Sequence, residues 1–152
     1  MSTNSISIFV DADACPVKSE IERVASRHKI KTYVVSNGGI RPSQNPLLNL
    51  VVVSKESDAA DIWISENMSE NDIVVTSDIV LAANVIEKGA RVIKPNGEIL
   101  NSKNIGEILA MRDLMYDIRA ADPFRQSGGT AFSKNDRSRF LDGLERLVRV
   151  KF

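Results

Sequence analysis

The sequence predicts a three-layer α/β domain, a mainly parallel sheet flanked by helices. Three observations carry that expectation. Short apolar runs rich in strand formers recur along the chain, as in Ile6-Ser7-Ile8-Phe9-Val10 and Ile73-Val74-Val75. Segments with apolar residues at helical spacing lie between them. Carboxylates stand directly after two of the apolar runs, at the strand ends where such folds place their chemistry. A length of 152 residues fits a single domain over 1–152 with a real core.

The elements follow in order. Residues 5–11 read as the first strand. Val17, Ile21, Val24 and His28 then recur at helical spacing, so 16–28 reads as a helix with Pro16 in its first turn, where no amide is needed. Ile30 to Ser36 is the second strand. The stretch from Asn37 to Pro46 is rich in turn formers and reads as a loop. Leu50 to Val53 is a short strand, and Asp58 caps a helix through about Asn67.

Ile73 to Thr76 is the next strand. Asp78 to Lys88 is a helix with Ile79, Ala82, Ala83 and Ile86 toward the sheet and Gly89 ending it. Arg91 to Ile93 is a strand. Pro95-Asn96-Gly97 signals a turn into a small hairpin around Glu98 to Leu100. Asn101 or Ser102 starts a long helix to about Arg119, with Ile105, Ile108, Met111, Met115 and Ile118 as its buried stripe. Pro123, Gly128 and Gly129 make 120–135 a mobile loop. A last helix over about 136–148 has Phe140, Leu141, Leu144 and Leu147 as its apolar face.

A 43% apolar composition with zero formal net charge describes an ordinary globular protein. The charge is uneven. Residues 1–111 carry 11 basic against 14 acidic side chains, and residues 112–152 carry 9 against 6. The single cysteine excludes an internal disulfide framework and suits a reducing cytosol. No secretory signal and no membrane-length apolar stretch is visible, so the expected location is cytoplasmic, with no membrane partner. The oligomeric state is not legible.

The chemistry concentrates in acids. Asp11 and Asp13 leave the first strand, Asp78 follows the Ile73 strand, and Asp58 and Asp61 open a helix that should start at the same edge. Spacing of three places Asp58 and Asp61 on one helical face. Any single one of these is a plausible helix cap, Asp58 above all. Together they repel one another unless a hard cation neutralises them. Magnesium or manganese takes such oxygens and can activate water against a phosphate. The candidate metal ligands are Asp11, Asp13, Asp58, Asp61 and Asp78, and the candidate catalytic acids are Asp11, Asp13, Asp61 and Asp78.

Asp11-Ala12-Asp13-Ala14-Cys15-Pro16-Val17, Ser57-Asp58-Ala59-Ala60-Asp61, Val75-Thr76-Ser77-Asp78-Ile79, Leu81-Ala82 and Ala110-Met111-Arg112-Asp113-Leu114-Met115 resemble the YaiI/YqxD family of bacterial proteins. The resemblance runs across almost the whole chain, to Phe132 and Asp136-Arg137. It looks in turn like a branch of the PIN-like nuclease superfamily, which implies a PIN-like fold and metal-dependent cleavage of RNA or DNA. It implies that Asp11 matches the superfamily's first-strand acid, Asp78 its later strand-end acid and Asp61 a middle acid.

Other chemistries fit less well. Asp11-Ala12-Asp13 resembles the first motif of haloacid-dehalogenase-like phosphatases, with Thr76 or Ser77 and Lys94 as later motifs. No later acidic pair follows a strand, because Asp113 and Asp117 fall inside a predicted helix. Cys15 reads as a packed residue and His28 as a helix-end residue, so no Cys–His pair is credible. Arg41, Arg112, Arg125, Lys134 and Arg137 are the candidate contacts to RNA or single-stranded nucleic acid. The alternative to a nuclease is a non-catalytic PIN-like module that binds nucleic acid or protein.

Overall fold

The computed structural model describes residues 5–13, 15–56, 58–121 and 132–150. Its sheet is built from β1 (Ser7–Asp11), β2 (Lys31–Ser36), β3 (Leu48–Val52), β4 (Ile73–Val75), β5 (Arg91–Ile93) and β6 (Ile99–Leu100). The order across the sheet is β3-β2-β1-β4-β5-β6. The first five strands run parallel, and β6 turns back antiparallel on β5 through the Pro95–Gly97 turn. Successive strands thus step outward from β1 to β3, and the chain then returns to the other side of β1.

The helices are α1 (Lys18–His28), α2 (Ala59–Asn67), α3 (Ile79–Glu87), α4 (Ile105–Ala121) and α5 (Lys134–Arg149). Alternation along the strands sorts them into two layers. Ile8, Val10, Ile73, Val75 and Ile93 pack with Val17, Ile21 and Val24 of the α1 segment and Phe140, Leu144 and Leu147 of α5. Phe9, Val35, Val74 and Val92 face the opposite layer, with Ile64 of α2, Leu81, Ala82 and Val85 of α3, and Ile105 and Ile108 of α4. The general three-layer α/β architecture is therefore as the pattern predicts.

Element ends differ by a few residues. Helix α1 begins at Lys18, after a turn that holds Pro16, and ends at Lys29 in the left-handed conformation. Helix α5 begins earlier than the periodicity implies, because Ser133 and Asp136 form a reciprocal capping box. Helix α4 reaches Ala121, so the predicted 120–135 loop overlaps its end and the start of α5; residues 122–131 lie outside the described ones.

Two predicted faces are adjusted. In α3 Ala82 is buried and Ile79 and Ile86 pack against the core as expected, while Leu81 and Val85, outside the expected face, are fully buried and Ala83 is only half-buried. Turning the bulkier Leu81 and Val85 inward removes more apolar area from water. In α4 the predicted stripe is half-buried at Ile105, Ile108, Met115 and Ile118 and broken at Met111, which is 58% exposed; Leu114 and Tyr116 are also exposed. Of the stripe, Ile105 and Ile108 pack against the core beside α3.

The last helix meets the β5–β6 turn at very close range. A Cβ at Gly97, whose φ is 94°, would stand 2.6 Å from the Arg139 carbonyl carbon. A Cβ at Gly143 would stand 2.9 Å from Ile93 Cδ1. Gly97 is required by that approach, and Gly143 lets α5 lie close to Ile93, which seats Phe140 and Leu144 in the core.

Candidate carboxylate site

The chain reverses its order across the sheet between β1 and β4, and loops leaving their carboxyl ends diverge there. That switch point opens a crevice in folds of this kind. Asp11 is the last residue of β1 and shares a face with Phe9, toward α2 and α3. Two residues beyond β4, Ser77 leads into Asp78. The Thr76 hydroxyl donates to Asp11 Oδ2 at 2.9 Å and accepts from the Asp78 amide at 3.0 Å. One hydroxyl thus ties the two strand ends together.

Asp78 is the N-cap of α3, and its Oδ1 accepts from the amides of Val80 and Leu81 at 2.9 and 3.1 Å. Asp61 projects from the first turn of α2, near Asp78. Burial, reinforced by Asp78, Asp11 and Asp58, pushes Asp61 up to about 7. Burial likewise raises Asp11; the Thr76 bond opposes it, and the charges of Asp78 and Asp13 add to it.

Asp13 and Asp58 flank this group. Asp13 is exposed, and it accepts from Ser36 Oγ at 3.1 Å and from the Asn37 amide at 3.3 Å. Asp58 occupies the N-cap position of α2 yet makes no side-chain capping bond. The cap reading of Asp58 thus accounts for its place but not for its side chain. Among the ion pairs of the described residues, none involves Asp11, Asp13, Asp58, Asp61 or Asp78. Nor, among those residues, are three or more Asp, Glu, His or Cys side chains grouped so as to hold a metal ion as they stand. Asp13 is turned to the end of β2, and one oxygen of Asp78 is taken by α3.

The basic candidates scatter. Arg137 donates to the Pro16 carbonyl at 2.6 Å, reaches Glu20 at 3.5 Å and lies over the Phe132 ring. It therefore borders the segment that carries Asp11 and Asp13. Lys134 is exposed at the start of α5. Arg112 pairs with Asp113 on an exposed stretch of α4. Arg41 lies in the β2–β3 connection, on the α1 side of the sheet. Arg125 lies outside the described residues.

Composition and spacing give no role to the positioning groups Ser36 and Asn37, and give Thr76 one only under the phosphatase reading. A Thr two residues before a capping Asp was the available signal for Thr76. Beside the carboxylates, a shallow cleft of about 370 Å³ is lined by Pro16, Ser77, Lys94, Asn96 and Phe132. Lys94 had been considered only under the phosphatase reading. Cys15 is buried and His28 bonds Glu145 at 2.6 Å, in keeping with their reading as structural residues. No helix among the described residues is long and apolar enough to cross a membrane.

Comparison with known proteins gives this arrangement its relatives. The model of the uncharacterized BCR, YaiI/YqxD family matches residues 9–150. A UPF0178 protein of Roseobacter denitrificans is 64% identical over 142 residues, 93% of this chain and 94% of the relative. A UPF0178 protein of Ruegeria pomeroyi is 57% identical over 144 residues, 94% of each chain. One of Mesorhizobium japonicum is 49% identical over 142 residues, 93% of this chain and 91% of its own. No solved structure matches the chain. The chain belongs to the YaiI/YqxD family.

Proposed function

We propose that this member of the YaiI/YqxD family is a PIN-like, metal-dependent phosphodiesterase that hydrolyses RNA or DNA at the carboxylate crevice. One observation carries the reading. Asp11, Asp61 and Asp78 crowd the switch point of the sheet, burial and then their like charges raise the pKa of Asp11 and Asp61, and none of the three takes part in an ion pair among the described residues. A natural protein retains such a cost where chemistry needs it.

The donor set fits magnesium or manganese. It is all oxygen and anionic, and such ions are commonly held by one or two carboxylates with water completing the shell. Asp11 and the free oxygen of Asp78 would hold the ion; Asp61, with its pKa raised to about 7, would join as the carboxylate once deprotonated. Bound there, the ion would supply charge neutralisation and an activated water. Thr76 keeps Asp11 aimed at the crevice, and Asp13 and Asp58 enlarge the negative field that draws a cation in. Lys94, Arg137 and Phe132 line the approach and suit a phosphate backbone and a stacked base.

Labelled single- and double-stranded RNA and DNA oligonucleotides incubated with the chain and Mn²⁺ test the reading. Cleavage that EDTA and Asp11→Asn both abolish supports it, with circular dichroism showing that the variant is folded. Cleavage that survives either control belongs to another mechanism. No cleavage, with retained oligonucleotide binding, turns the reading toward a binding module.

A further inference from the structure

The β2–β3 connection roofs a second cavity, separate from the carboxylates. It has a volume of about 210 Å³ and lies on the α1 side of the sheet, opposite the face of Asp11. Parallel strands are usually bridged by a helix, but residues 37–47 cross without one. The sheet surface beside α1 is left with a hollow in place of a packed helix. Its floor is aliphatic: Val10, Val34, Ile40, Leu48 and Leu50.

Lys18 and Arg41 stand at the rim. The Lys18 ammonium donates to the Cys15 carbonyl and takes part in no ion pair, and Arg41 makes neither a hydrogen bond nor an ion pair within the described residues. The rim acid, Glu22, accepts from Asn45. The mouth thus carries two cations against one engaged carboxylate.

We propose that this cavity binds a small organic anion, with a hydrocarbon ring on the aliphatic floor and a carboxylate at Lys18 and Arg41. Size sets the body: the volume falls below the roughly 300–1,000 Å³ of sites for drug-sized ligands, and suits one ring. The floor sets its character. A nucleobase has polar edges all round and would turn some of them onto aliphatic carbon, where an unpartnered polar group is costly, whereas a hydrocarbon ring has none to satisfy. The unpaired cations set the sign of the head group. The roof also starts at Asn37, whose amide bonds Asp13, so an occupant presses on a segment tied to the other site.

Phenylacetate titrated into the ¹⁵N-labelled full chain tests this by NMR, with 2-phenylethanol and phenethylamine as neutral and cationic controls. The expected result is saturable shifts confined to amides around Val34, Ile40, Arg41 and Leu50, with the controls binding about tenfold more weakly. The double change Lys18→Ala with Arg41→Ala should weaken phenylacetate about tenfold and leave 2-phenylethanol unaffected. Leu50→Trp should fill the cavity and abolish the shifts. If that variant does not fold, the rim variant decides alone. Equal binding of anion and cation, saturating shifts elsewhere, or no shifts at all would overturn the proposal.

Discussion

The two edges of one sheet treat acids in opposite ways. At the amino edge Asp72 is only 6% exposed, yet each of its oxygens accepts a backbone amide, from Ser7 at 2.9 Å and Ser69 at 2.8 Å. Arg91 stands beside it and donates onward to the carbonyls of Asn71 and Leu147. Glu145, where α5 meets the end of α1, is bonded by Arg27, His28 and Arg149. Burial raises its pKa, but the His28 and Arg149 contacts outweigh that and hold it below the usual range. At the carboxyl edge burial and like charge raise Asp11 and Asp61. The amino-edge acids staple the fold; the carboxyl-edge acids strain it.

The largest effect that tests this contrast should come from Asp72→Ala. It leaves two amides without their acceptor and should lower unfolding stability by about 2–4 kcal/mol. Urea denaturation measures it. A loss no larger than that of an exposed Asp→Ala control would remove Asp72 from the stapling set.

Next comes the cation itself. Mn²⁺ at tenfold excess over its Kd should stabilise the chain by about 1.4 kcal/mol. Asp78→Asn should diminish that gain while sparing the helix, since Asn caps as well as Asp. Equal Mn²⁺ shifts in thermal melts of both proteins would remove Asp78 from the ligand set.

Protons give a smaller effect of the same sign. The folded chain binds the Asp61 proton more tightly than the unfolded one. Metal-free stability should therefore fall as pH rises from about 4 to about 7, and the full penalty should stand above that. After solvent screening it is on the order of 1 kcal/mol. Asp61→Asn should flatten that slope and raise stability at pH 8. An unchanged slope would assign it to other groups.

Glu145→Gln should give the smallest change, a loss of about 0.5 kcal/mol at neutral pH. The sign is reversed here. With its pKa lowered on folding, Glu145 stabilises above its unfolded pKa, and that contribution fades as pH falls through the folded value. The loss in Glu145→Gln should thus shrink in acid, whereas a constant deficit would trace to packing.

The sequence made one edge legible and hid the other. Carboxylates after apolar runs stand out because strand ends are readable from alternation, and parallel strands bring their ends together. The β5–β6 hairpin was equally visible, since Pro95-Asn96-Gly97 is local turn chemistry. Asp72 carries no such signal. Its meaning depends on Ser7, 65 residues away, and no local pattern announces that bond. The same holds for Thr76 and Asp11, also 65 residues apart. Met111 in the α4 stripe was misplaced for the converse reason: periodicity reports an apolar face and not what covers it.

The close seat of α5 against the Gly97 turn bears on how the protein is made. The core under α1 is finished by Phe140, Leu144 and Leu147, which leave the ribosome after all six strands. Until they emerge, Ile73, Val75 and Ile93 have a wall missing on that side. A chain stalled or clipped before residue 140 would present that open face to its neighbours, so synthesis through α5 is itself a folding step.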